Sequence, residues 1–463
     1  MNDLNKVLNF VDDLVFAKTG ERFNDLQRII LQECWQDTKK TYDRIAVEYD
    51  YSANYIKQGV GPKLWRLLSQ AMGEKVTKSN FNAVVTRHLS RQATSQVKVN
   101  TVPEAGIKAA ENNTVENETV ATKAGAELEL PLDSVPLGSA FYVERKPHEA
   151  RCYQEILHTS SFIRIKAPRQ MGKSSLMHRI INYAQEQDFQ TALIHLQQAE
   201  SSILDDLERF LQWFCSNLAR QLGLKANLAE YWDEFLGAKM SCTYYLQEYV
   251  LSNCDRPLVI ALEEVNEVIE HPATAQEFLT LIRFWHEKTK TDPSFQQLRL
   301  IMVHSTEIYI PLDINQSPLN VGLRIELQPF DRQQVADLVA RHGLQLTDPE
   351  LEQLLALTGG YPYLTRRALY HLARQDLSFP ELLTKAATDS GIYSDRLHSH
   401  LRVLEDKPEL VEQFKMVLQA TEATQIEQIA GFKLQSMGLI EIQGNLVKVS
   451  CNLYQRYFSE CFL

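Results

Sequence analysis

The sequence predicts an α/β core of P-loop type, preceded by an all-α domain and followed by helical modules that end in a β-hairpin. Three observations predict it. Short apolar runs alternate with helical segments through the middle of the chain, the order of a parallel sheet with covering helices. One of those runs opens into Ala-x-x-x-x-Gly-Lys-Ser at 167–174. Residues 1–91 carry helical periodicity without strand alternation.

At 463 residues the chain exceeds one ordinary domain. Its hydrophobic content of 44% and charged content of 23% exclude wholesale disorder and fibrous repeats. No run of 18 apolar residues occurs, and acids interrupt the apolar stretch of MNDLNKVLNFVDDLVF. The expectation is therefore a soluble, cytoplasmic protein with neither a membrane span nor a secretory signal. Seven dispersed cysteines without a CxxC pair read as reduced core thiols. The net charge of −11 argues against a nucleic-acid coat over the whole surface. Locally the balance reverses, with seven bases against one acid from Lys57 to Arg91.

In the first region, 1–91, Leu26, Ile29, Ile30 and Cys34 fall on one helical face. The segment from Thr41 to Gly73 then reads as helix, tight turn at Tyr51-Ser52, helix, the grammar of a helix-turn-helix. Residues 92–135 form a flexible, weakly acidic linker, with seven acids, three lysines and no aromatic residue. Residues 136–330 carry the strand runs Phe162–Ile165, Ala192–Leu196, Leu258–Leu262, Leu298–Val303 and Leu323–Leu327. A helical lid is expected over 331–394. Over 395–463, helices precede IEIQ-GN-LVKVS, whose Gly444-Asn445 pair signals a two-residue hairpin and hence a winged-helix module.

The chemistry concentrates after the first strand. In a P-loop, backbone N–H groups and the helix dipole meet phosphate oxygens, so Ala167, Arg169, Gln170, Met171, Gly172, Lys173, Ser174 and Ser175 are the expected cradle. Gly172 permits close approach, Lys173 reaches the β- and γ-phosphates, and Ser174 offers its hydroxyl to Mg²⁺. Ala167 replaces the usual first glycine at a position that needs only a compact residue. PLVIALEEVNEV supplies an acidic strand end: Glu263 to orient the water shell of Mg²⁺ and Glu264 to act as the catalytic base. Glu263 is one methylene longer than the usual aspartate. If Glu263-Glu264 is only an acidic loop after a buried strand, nucleotide is bound but not cleaved. The strand LRLIMV ends in His304-Ser305-Thr306, where Ser305 or Thr306 is placed to sense the γ-phosphate or simply to cap the strand. Gly359-Gly360-Tyr361-Pro362 allows close backbone approach to a ligand, and Arg366 and Arg367, one turn farther on, are candidate phosphate sensors, Arg366 the one expected to bind nucleotide.

Taken together, FYVERKPHEARCYQEI, IRIKAPRQMGKSSLM, ALEEVNEV, LRLIMVHSTEIYIPLDINQSPLNVGLRIEL, TGGYPYL and FKLQSMGLIEIQGNLVKVSCNLYQRYF resemble the AAA-like ATPases common in cyanobacteria. These are related to the STAND branch of P-loop NTPases and to initiator-type AAA+ proteins. YIKQGVGPKLWRLLSQAMGEKVTKSNF resembles the N-terminal helix-turn-helix of proteins associated with von Willebrand A and MoxR-type systems. The resemblance implies an ATP-binding core, a helical lid and a winged helix acting as a nucleotide-controlled switch. It places Tyr142, Val143 and Arg145 near the adenine and Pro362 against the base or ribose. Glu263 and Asn266 depart from the family's usual aspartates.

The basic N-terminal helices invite a DNA reading. Lys57, Lys63 and Arg66 are candidates to neutralise phosphates, and Ser52, Asn54 and Tyr55 to meet base edges. The alternative is a protein-docking module whose bases form a solvated face. Leu64, Trp65, Leu67 and Leu68 read as core. The function expected is an ATP-dependent switch that drives self-association or recruits an effector. The other readings are a DNA-binding regulator or adaptor with ATP as a structural ligand, and an interaction scaffold with a degenerate P-loop.

Overall fold

The computed structural model describes residues 7, 8, 10–12, 14, 15, 18, 23, 25–36, 40–49, 53, 56–88, 128–131, 134–233, 235–305 and 318–463. Ser52, Asn54, Tyr55, Thr306 and most of the 92–135 segment lie outside them. Helix α1 (Asp25–Gln36) buries Leu26, Ile29, Ile30 and Cys34, and also Leu31, Arg28 and Glu33. It is therefore covered on more than the single face its apolar spacing predicts. Helix α2 (Tyr42–Glu48) starts at Thr41, whose side chain accepts the Arg44 N–H and so satisfies one orphan donor. A π-helical turn, Ile56–Val60, leads directly into α3 (Gly61–Met72). Helix α3 has proline in its first turn and ends on Gly73 at φ 68°. Its Leu64, Leu67, Leu68, Ala71 and Met72 repeat at helical spacing and are buried. Trp65 is half-buried, and its Nε1 donates to the Tyr42 hydroxyl at 2.6 Å.

Helix α4 (His148–Leu157) precedes β1 (Phe162–Lys166), α5 (Lys173–Glu186) and β2 (Gln190–His195). Next come α6 (Leu207–Gln221), β3 (Leu258–Glu263), α7 (Pro272–Thr291), β4 (Leu298–His304) and β5 (Leu323–Glu326). The five strands are parallel, in the order β2-β3-β4-β1-β5. Every residue of β1, β3 and β4 is buried, as in a sheet covered on both faces. Phe210 and Phe214 of α6 pack edge-on against Phe278 of α7 at 5.0 and 5.7 Å, filling the core on one side. Because the strands run in one direction, their carboxyl ends share one rim. Lys166 pairs with His304 there, and His195 with Glu263.

Beyond the sheet lie α8 (Arg332–Arg341), α9 (Asp348–Thr358), α10 (Pro362–Ala373), α11 (Ser394–Glu405), α12 (Pro408–Gln419) and α13 (Gln428–Ser436). Strands β6 (Ile440–Gln443) and β7 (Leu446–Val449) follow, then α14 (Asn452–Phe462). Thr347 and Glu350 form a reciprocal capping box at the start of α9. β6 and β7 pair antiparallel with Gln443 opposite Leu446, so the hairpin turns on Gly444-Asn445, with Gly444 at φ 64°. The chain divides into two compact units: Met1–Asp133, His342–Leu344 and Arg367–Pro408 in one, Ser134–Arg341, Gln345–Arg366 and Glu409–Leu463 in the other. No helix among the described residues is long and apolar enough to cross a membrane.

Candidate nucleotide-binding site

The buried strand β1 delivers the chain to the rim, and residues 167–172 must reverse it into α5. Two of them take left-handed backbone: Gln170 at φ 64° and Gly172 at φ 84°. A Cβ on Gly172 would come within 3.2 Å of the Arg145 guanidinium, so glycine answers both the dihedral and the close approach. Gly172 brings no side chain to cap α5, and the first N–H groups of that helix face the loop as an anion-binding end. Within the loop Ala167 and Met171 are buried, and Arg169 donates its N–H to the Ser436 carbonyl at 3.1 Å. Lys173 is only 5% exposed, and its Nζ donates to the Pro168 carbonyl at 3.0 Å. Burial pulls its amine down to about 8, helped by Arg169 and resisted by Glu264 and Glu263. It is a lysine short of negative charge.

The carboxylates stand across from it. Glu263 ends β3, and its Oε2 lies 2.7 Å from His195 Nδ1 at the end of β2. Burial alone would raise the Glu263 carboxyl. Hydrogen bonds from His195 and the Ser174 hydroxyl, with the nearby His178 imidazole, outweigh burial and hold it below the ordinary range. The longer glutamate thus meets the Ser174 hydroxyl. Glu264 is half-buried and left-handed at φ 54°, a conformation costing a non-glycine residue about 1–3 kcal/mol. Glu264 is the nearby carboxylate that most resists the fall of the Lys173 amine. Asn266 is buried, and its Oδ1 has no hydrogen-bond partner among the described residues. Ser305, next along the rim, is buried at the end of β4.

The residues before α4 close one side. Arg145 is buried, donates Nη2 to the Met171 carbonyl at 2.6 Å, and stacks on Phe330 at 4.8 Å. Its Nε is buried with no partner among the described residues. Val143 is buried, and the Tyr142 hydroxyl donates to Glu149 Oε1 at 2.8 Å while its ring lies 3.4 Å beneath Arg179. Arg179 also donates to the carbonyls of Val135, Pro136 and Ser175, and Ser175 Oγ accepts the Val135 N–H. Gly360 is obligatory, since a Cβ there would sit 2.2 Å from the Phe330 carbonyl oxygen. Pro362, half-buried, then starts α10, and Arg366 lies over the Phe141 ring at 5.1 Å. Arg367 turns elsewhere: it is buried 4.0 Å from Asp395, within the first unit.

Set against known proteins, residues 130–460 match the family model described as AAA-like domain. The chain belongs to the AAA-like domain family. Residues 2–88 of this AAA-like protein match the N-terminal helix-turn-helix of vWA-MoxR associated proteins. An uncharacterized WD repeat-containing protein of Synechocystis is 26% identical over 226 residues, 46% of this chain. The chain spans only 18% of that relative's length. Among solved structures, a Walker-type ATPase of Pyrococcus abyssi aligns with TM-score 0.50 at 15% identity, covering 69% of this chain and 100% of that one. The ORC2 protein of Aeropyrum pernix aligns with TM-score 0.44 at 16% identity, over 69% and 95% of the two chains. The AAA-like chain thus has the fold of P-loop ATPases.

Of the expected DNA contacts in the AAA-like protein, Lys57, Lys63 and Arg66 are exposed, with Lys57 paired to Asp43 at 2.7 Å. Sequence reasoning missed His195, His178, Arg179 and Glu149. Only His195 left a signal, as a polar residue closing an apolar strand.

Proposed function

We propose that the protein binds ATP with Mg²⁺ and hydrolyses it, and that nucleotide state controls its association with itself, a protein effector or DNA. The supporting observation is the buried, charge-deficient Lys173 facing Glu264, beside a Ser174–Glu263 pair in hydrogen-bond contact. Loop N–H groups and Lys173 hold the β- and γ-phosphates, and Phe141, Arg145 and Arg366 border the nucleotide. Ser174 and Glu263 would hold Mg²⁺, which supplies charge neutralisation on the phosphates. Glu264 orients a water and takes its proton as the water oxygen bonds to the γ-phosphorus. The bond from that phosphorus to the bridging oxygen breaks, and ADP and phosphate leave.

Glu264→Gln tests this reading. Turnover should fall by about 10²–10⁴-fold with ATP affinity retained; undiminished turnover removes Glu264 from the role. Lys173→Ala should weaken ATP binding by about 10–100-fold.

The exposed Lys63 and Arg66 of α3 favour a second reading, in which the chain is a DNA-binding regulator and ATP a structural ligand. The C-terminal hairpin would then be the wing of a winged helix that contacts protein. This reading requires a salt-sensitive DNA shift lost in Lys63→Ala/Arg66→Ala, together with negligible phosphate release.

A further inference from the structure

Glutamate in place of aspartate at the strand end carries an extra methylene and an extra rotatable bond, so its carboxylate can wander where aspartate's cannot. Something must fix it. His195 and Glu263 are register partners on adjacent parallel strands, and the Nδ1–Oε2 separation is 2.7 Å. On its other side the same carboxylate accepts the Ser174 hydroxyl from the first turn of α5. His178, one further turn along α5, places a second imidazole near it. Glu263 is thus pinned between β2 and the phosphate-loop helix.

We propose that His195 is a positioning residue: its Nδ1–H holds Glu263 in the rotamer that brings the carboxylate to the Ser174 hydroxyl, where a divalent cation accompanying the triphosphate is received. Partners that orient a metal-binding carboxylate typically change metal affinity about 10–100-fold when removed. The assignment rests on the nucleotide reading above. Histidine suits the task because its imidazole is rigid and its Nδ1 lies close to the backbone. An asparagine amide nitrogen occupies nearly the same place, whereas glutamine's lies one atom farther out. The His195 side chain is 40% exposed, so its removal leaves no buried cavity.

The test uses the full chain and a fluorescent ATP analogue, titrated in EDTA and again in Mg²⁺. The readout is the ratio of the two dissociation constants, not turnover. His195→Ala should leave the EDTA value within about twofold and shrink the Mg²⁺ enhancement about tenfold. His195→Asn should restore most of it. In a Glu263→Asp background, whose shorter side chain no longer reaches the imidazole, His195→Ala should change the ratio little, giving a non-additive cycle. An enhancement in His195→Ala equal to wild type, or additive effects with Glu263→Asp, overturns the assignment alone. Failure of wild type to bind the analogue in either buffer overturns the nucleotide reading and the assignment with it.

Discussion

Two buried charge clusters in this molecule are built from similar residues and behave in opposite ways. In the unit formed by the N-terminal helices and residues 367–408, Asp12 is wholly buried. It accepts from Arg28, from Arg374 Nη2 at 3.1 Å and from the Phe23 N–H at 2.8 Å. The Tyr370 hydroxyl accepts from both arginines, at 3.1 and 3.0 Å. Burial alone would lower the Arg374 guanidinium, but Tyr370, Asp376 and Asp12 outweigh it and hold the group above its ordinary range. At the phosphate loop, Lys173 is more deeply buried than Arg374 and moves the other way, to about 8, because burial there outweighs its nearby carboxylates. Arg145 Nε and Asn266 Oδ1 lie buried there without partners among the described residues. The lesson is thermodynamic: one cluster satisfies its own charges, while the other keeps a deficit of negative charge, the arrangement expected where a ligand is to supply it.

The largest way to break the comparison is to open the closed cluster. Asp12→Ala leaves two arginines facing a buried void and should cost about 3–5 kcal/mol, read as a lowered urea midpoint. Replacing Asp12, Arg28 and Arg374 together by apolar residues should cost far less, because the charges are then removed as a set. If the single and triple variants lose equally, the cluster contributes by packing and not by charge.

Next in size is the backbone of the site. Gly172→Ala meets both φ 84° and a guanidinium at 3.2 Å. It should cost about 1–2 kcal/mol of stability and displace Arg145 from the Met171 carbonyl, weakening ATP binding more than folding. Equal ATP affinity in wild type and Gly172→Ala would show that the loop does not need this close approach.

Lys173 gives a pH signature. Its folded value of about 8 lies below the ordinary lysine value of the unfolded chain, so between about pH 8 and 10.5 the unfolded state binds the extra proton. Stability of the ligand-free protein should therefore rise across that window, against the usual alkaline loss, and Lys173→Met should flatten the rise. Phosphates supply the missing counter-charge, so ATP binding at pH 8.5–9 should take up a proton. Calorimetry in buffers of differing ionisation heat measures that uptake directly; none would mean that Lys173 is already charged.

What was legible in the sequence was local. Strand, loop and helix around Lys173 lie within one stretch, and their residue types dictate both conformation and chemistry. The Gly444-Asn445 turn is likewise specified by two residues, and Gly444 adopts the left-handed backbone that the turn needs. What was not legible crosses the chain. His195 meets Glu263 only because β2 and β3 are neighbours, and their pairing is a property of sheet order. Asp12 and Arg374 lie 362 positions apart. The Arg145 contact with Met171 has no sequence period at all. The extra methylene of Glu263 could not be judged from the sequence, since the imidazole that meets its carboxylate lies on another strand.

The smallest expected effect sharpens the comparison most. Asn266 holds its Oδ1 buried with no partner among the described residues, so Asn266→Ala removes a desolvated acceptor along with some packing and the long Nδ2 contact to Glu267. The two contributions oppose, and the thermal midpoint of ligand-free protein should move by no more than about 1 °C, equivalent to about 1 kcal/mol at about 2 cal/mol/K of unfolding entropy per residue. Tyr370→Phe removes a hydroxyl of comparable size from the closed cluster, strands donors on Arg28 and Arg374, and should cost about 2–3 kcal/mol. Both substitutions delete one buried polar group. A large loss in Asn266→Ala would mean that Asn266 has a structural partner and that the two clusters are alike; a small loss in both would mean that neither is organised by its hydrogen bonds.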